Sequence, residues 1–121
     1  MKLCMLGMAA LLCAAGLAQA QAPAATRAEV TQLLDRVESS QCKFNRNGSW
    51  HDAKSARKHL QDKFDYLDKK NMVATTESFI DKGASRSSTS GKAYQIFCPG
   101  GQAMPSAAWM TAELNRLRLS R

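Results

Sequence analysis

The sequence predicts an α+β fold: a small three-stranded antiparallel sheet, made of a hairpin plus one strand, covered by about four helices and carrying one disulfide. Three observations predict it. Apolar residues recur at helical spacing in separate stretches. An Asn47-Gly48 pair sits between two short alternating segments, as a tight hairpin requires. A β-prone run, Ala93 to Cys98, ends abruptly at Pro99-Gly100-Gly101.

The 121 residues are 45% apolar, but that fraction is uneven, because 16 of the first 20 residues are apolar. Lys2, the stretch Leu3 to Leu17, and Ala18-Gln19-Ala20 match the charged, apolar and small-x-small parts of a secretory signal peptide. Residues 1–20 are therefore expected to be a signal peptide, with the mature chain starting at Gln21. Leu12 stands before Cys13, where a lipobox wants a small residue, so a lipoprotein is not expected. After position 20 no apolar run approaches the ~20 residues that span a bilayer. Without Lys2 the chain keeps 16 basic and 10 acidic residues. The basic residues are dispersed, with no run longer than a pair such as Lys69-Lys70. An exported chain of this kind is expected to meet an envelope protein or an anionic envelope component, not nucleic acid.

Residues 21–25 read as a short lead before a domain over 26–121. Thr26 and Glu29 have capping-box spacing at the start of a helix whose stripe is Val30, Leu33, Leu34 and Val37. In Gln41 to Arg46 the alternation of Cys42 and Phe44 with polar residues suits a half-buried strand, and Ser49-Trp50-His51 is its return. Asp52 or His51 opens a second helix running to about Lys70, with Ala53, Ala56, Leu60, Phe64 and Leu67 inward. Lys63 lies at the edge of that stripe, where a lysine must snorkel or find a partner.

Thr75-Thr76-Glu77 caps a third helix bearing Phe79 and Ile80, with Gly83 softening its end. Ser85 to Ser90 is a polar loop. A last helix starts around Pro105-Ser106 with Met110, Leu114 and Leu117 inward and Trp109 at one edge. Glu113 falls at the core margin, so a Lys63–Glu113 pair is expected.

Removal of residues 1–20 would leave two cysteines, Cys42 and Cys98. In an oxidising compartment they are expected to form a disulfide closing a loop of 57 residues, worth about 4 kcal/mol by chain entropy. A redox or metal-binding pair is the alternative. No Cys-x-x-Cys is present, and zinc would need two further ligands.

The order of motifs resembles the YfeK-like family of small exported bacterial proteins, a domain of unknown function. Arg46-Asn47-Gly48 and His51 carry it first, then Ala53, Ala56, His59-Leu60 and Lys63. Thr75-Thr76-Glu77 follows, with Phe79-Ile80-Asp81, Ala84-Ser85, Ser87-Ser88, Ser90-Gly91-Lys92 and Tyr94. Cys98-Pro99-Gly100 ends the set. The resemblance covers about residues 26–118, and Ala93 stands where the family tends to have proline. It implies fold and location and brings no activity.

No catalytic motif emerges. His51 and His59 are eight apart, not the i, i+4 spacing of a helical metal pair. Gly91-Lys92 is followed by Ala93, not the serine or threonine of a phosphate loop. Neither metal nor cofactor is expected. The candidate binding residues form a polar band: Arg46, His51, His59, Lys63, Glu77, Ser88 and Lys92. The alternative is that these groups satisfy one another and pin the loops. The leading expectation is a non-enzymatic periplasmic binding or accessory module. The alternatives are a small hydrolase or metal-dependent enzyme using His51 and His59, and a purely structural or stress-related envelope protein.

Overall fold

The structure, a computed structural model, describes residues 21–121. The expected signal peptide and its cleavage site lie outside the described residues. Asn47 and Gly48 both take positive φ, at 54° and 87°, which is what a two-residue hairpin turn demands. The Gly48 amide donates to Asn45 Oδ1 across the turn. The turn joins β1 (Lys43–Arg46) to β2 (Ser49–His51) in antiparallel register, with Phe44 opposite His51.

On its other side β1 pairs with β3 (Gln95–Phe97), Lys43 opposite Phe97. Cys42 and Cys98 are one position beyond that pair and form the expected disulfide. A fourth strand corrects the three-stranded expectation. This is β4 (Met104–Pro105), antiparallel to β3, giving the order β2-β1-β3-β4. Two residues are too few to show alternation, and Pro105 reads equally well as a helix start. Proline is tolerated there because β4 is an edge strand.

The helices are α1 (Ala24–Ser39), α2 (Ala53–Lys69), α3 (Thr76–Gly83) and α4 (Ser106–Leu119). α2 and α4 lie against the sheet, while α1 packs on the other three helices. Phe44 and Ile96 point from the sheet into a core completed by Leu33, Leu34, Leu60, Phe79, Met110 and Leu114. The opposite sheet face is open. There Trp50 and Phe97 are 47% and 44% exposed, with ring centroids 6.5 Å apart.

Local signals decide the starts of α2 and α3. Asp52 caps α2 by accepting the Ser55 amide. At α3, Thr75 and Ser78 form a reciprocal capping box. The box expected at Thr26 and Glu29 does not form. α1 begins two residues earlier behind Pro23, Thr26 Oγ1 donates to the Ala74 carbonyl, and Glu29 is buried against Thr76 and Arg118. The lead is also fixed, since Ala22 is 4% exposed and its amide donates to Asp68 at 2.7 Å.

The Lys63–Glu113 pair is absent. Glu113 takes Arg36 and Arg116, and Lys63 donates to the Arg86 carbonyl and the Tyr94 hydroxyl. Tertiary folding offers each misplaced charge a nearer partner than the helical wheels suggest. Among the described residues no helix is long and apolar enough to cross a membrane.

Candidate functional site

Strand alternation puts Arg46 on the same sheet face as Phe44, and register adds His51. On α2, His59 and Lys63 are one turn apart and face this end of the sheet. Tyr94, just before β3, shares the parity of Ile96 and enters between them, 5% exposed. A half-open cleft of about 100 Å³ lies between sheet and α2. Phe44, Ala56 and Leu60 supply apolar lining, and Arg46, His51, His59 and Tyr94 supply polar groups.

Arg46 Nη1 donates to His59 Nδ1 at 2.7 Å. A guanidinium only donates, so Nδ1 must be the unprotonated nitrogen. The proton of the neutral ring is then on Nε2, which donates to Tyr94 Oη at 3.2 Å. Lys63 Nζ donates to the same oxygen at 3.2 Å and to the Arg86 carbonyl at 3.1 Å. Tyr94 Oη thus accepts twice, which leaves its own O–H free to donate.

The electrostatics agree with this assignment. Burial, then the Arg46 and Lys63 charges, push His59 down to about 4, so it is neutral at physiological pH. Burial lowers Lys63, helped by Arg46 and Arg86. Burial raises Tyr94, partly opposed by Arg46, so its hydroxyl keeps its proton. Among the described residues no carboxylate lines the cleft. The wall therefore presents a guanidinium and a hydroxyl proton, which suits an anionic group.

This arrangement differs from that of a general base. A catalytic histidine usually has its Nδ1–H held by a carboxylate and titrates near neutrality. In this cleft Nδ1 accepts from a cation and the ring titrates well below neutrality. Among the described residues no group of three His, Cys, Asp or Glu side chains could hold a metal ion.

The expected band is only partly assembled. Arg46, His59 and Lys63 meet through Tyr94, and His51 lines the cleft. Glu77 belongs elsewhere, since it pairs with Arg118 beside Glu29. Ser88 and Lys92 are exposed and their side chains form no hydrogen bond among the described residues. Their loop is held by Ser87 instead, which receives the Thr89 and Ser90 amides and Asn47 Nδ2. Sequence reasoning missed Tyr94 and Ser106 as cleft residues. The alternation of Tyr94 with Ile96 was the available signal for the first. Nothing in the sequence marks the second. A shallower groove beside the disulfide contains Trp109 and Glu113, but Arg36 and Arg116 already neutralise that carboxylate.

Fold and site together define a disulfide-bonded α+β protein with a small cationic cleft at one end of its sheet. The model of a family of unknown function, DUF5329, matches residues 24–118, and the chain belongs to that family. No curated protein and no solved structure matches the chain.

Proposed function

We propose that this protein is an exported, periplasmic, non-enzymatic module that binds an anionic group of an envelope protein or envelope component in the cleft. The single observation that carries the reading is Arg46, aligned by His59 at the edge of a cleft that no carboxylate among the described residues lines. Support for the location comes from the signal-peptide pattern, the resemblance to YfeK-like exported proteins, and a disulfide of the kind that persists in oxidising compartments. The catalytic reading on His51 and His59 has less support, because His59 is held as a neutral donor with a cation on its other nitrogen.

Capture from native envelope extract tests the binding. Immobilised wild-type protein should retain a component that Arg46→Gln, His59→Ala and Lys63→Ala retain less, and that salt releases. Equal recovery by all four proteins overturns the reading. Fractionation and N-terminal sequencing test the location, with a chain starting at Gln21 in the periplasmic fraction as the expected result.

A further inference from the structure

Ser106 is the first residue of α4 and is 1% exposed, yet it lines the cleft. Its backbone amide donates to the Tyr94 carbonyl, which fixes it beside Tyr94. Its hydroxyl has no hydrogen-bond partner among the described residues. The buried residue thus borders the cleft wall. A buried hydroxyl is costly to leave unpaired, so one on a cleft wall is suited to contact a polar ligand group. Pro105 precedes it and provides no side-chain cap, so the positive end of α4 is uncapped at the same place.

We infer that the cleft takes a terminal carboxylate attached to a short aliphatic body. This rests on the binding reading above and names the chemistry of its ligand. Arg46 uses Nη1 on His59, and its Nε and Nη2 have no partner among the described residues. Those two donors form the fork that matches a planar carboxylate. The Tyr94 and Ser106 hydroxyls are both free to donate. Phe44, Ala56 and Leu60 offer apolar surface to a methyl or ethyl group.

The choice of carboxylate over phosphate follows from charge and size. Among the described residues Arg46 is the only cationic one lining the cleft, and the Lys63 ammonium is occupied behind Tyr94. One charge balances a monoanion and leaves a phosphate dianion under-compensated. A volume of about 100 Å³ is well below the ~300 Å³ at which ordinary small-molecule pockets begin, so it suits an end group. Because the cleft is half open, the rest of a longer molecule can leave it. The carboxylate can come from a free short-chain acid or from a peptide ending in a small residue.

The test is an NMR titration of isotope-labelled protein, produced from the full chain, with sodium propionate, N-acetyl-L-alanine and N-acetyl-D-alanine. Propionamide is the neutral control and inorganic phosphate the competing anion. Saturable shifts are expected at Tyr94 and Ser106 with the carboxylates. Propionate binding as tightly as the acetylated alanines assigns a free acid, and tighter binding of an acetylated alanine assigns a peptide end. Arg46→Gln should weaken the carboxylate at least about tenfold, and Ser106→Ala by several-fold, since each removes donors. The unperturbed spectrum of either variant verifies its fold. Propionamide binding equal to propionate overturns the assignment, as does saturation by phosphate alone or full affinity in Arg46→Gln. If no carboxylate binds while envelope capture still requires Arg46, the carboxylate assignment fails and the binding module stands.

Discussion

Arg46, at the end of β1, donates a hydrogen bond to Nδ1 of His59 on α2 at 2.7 Å, so the orientation of one cleft wall depends on that ring staying neutral. Protonation of Nδ1 removes the acceptor and places a cation against Arg46 and Lys63. The ordinary value for His59 is 6.5 and the folded value is about 4. The unfolded chain therefore holds the proton more tightly. The stabilising contribution of the neutral ring is complete above about pH 6.5 and disappears as pH falls toward 4. Thermal unfolding across that window should show wild type losing stability relative to His59→Gln. Parallel curves would mean that folding does not lower the proton affinity of His59.

Gly83, the last residue of α3, predicts a substitution effect of unusual sign. Helix propensity alone favours alanine over glycine by about 1 kcal/mol. A Cβ at Gly83, however, would lie 2.7 Å from Phe79 Cε1 and 3.1 Å from Leu67 Cδ1. Phe79 is fully buried and stacks edge-on against Phe64, so the ring has no room to yield. Overpacking of this kind costs about 1–3 kcal/mol and outweighs propensity. Gly83→Ala should lower the denaturant midpoint, and a raised midpoint would show that the Phe79 ring relaxes.

The Cys42–Cys98 disulfide joins the ends of β1 and β3 and is the covalent support of the central strand pair. By loop closure its removal should cost about 4 kcal/mol. For a domain of this size that corresponds to a fall in Tm of more than about 15 °C. Calorimetry of the Cys42→Ala, Cys98→Ala double variant measures it, with retained Tm as the contrary result.

Features encoded over a few neighbouring residues were legible in the sequence. The stripe Ala53, Ala56, Leu60, Phe64 and Leu67 is buried as its spacing predicts, and Asn47-Gly48 turns as its φ values require. Features that depend on distant partners were not. Glu29 has the spacing of a cap, but its partners are at positions 76, 118 and 121. Lys63 was recognisable as a charge out of place, yet its partners are a hydroxyl and a carbonyl, which carry no sequence signal of charge pairing. Ser106 is an unremarkable helix start until the sheet places Tyr94 beside it. Ala22 looks like part of an untethered lead, and only the folded position of Asp68 fixes it.

Glu29 and Arg118 are 89 residues apart and make a two-pronged polar contact between the first and last helices. Arg118 reaches Glu29 through Nε and Nη2 and Glu77 through Nη1 and Nη2, while Thr76 and Arg121 complete the environment of Glu29. The Arg118 hydrogen bond is the main reason Glu29 drops from 4.5 to about 2 despite opposing burial. Its stabilising contribution is therefore complete above about pH 4.5 and is lost as pH falls toward 2. Removing Arg118 leaves a buried carboxylate held only by Thr76 and Arg121. Breaking a fully buried pair costs about 3–5 kcal/mol, and the 40% exposure of Arg118 reduces this to about 2 kcal/mol for Arg118→Ala. Arg118→Lys should recover part of the loss, because an ammonium cannot bridge both carboxylates in the geometry of a guanidinium fork. Glu77→Gln, at an exposed carboxylate, should cost less than about 1 kcal/mol. Chemical denaturation at pH 7 ranks the three variants, and repetition at pH 3 should shrink the gap between wild type and Arg118→Ala. An unchanged gap at pH 3 would mean that Arg118 stabilises the helices through packing of its stem instead of through the Glu29 charge.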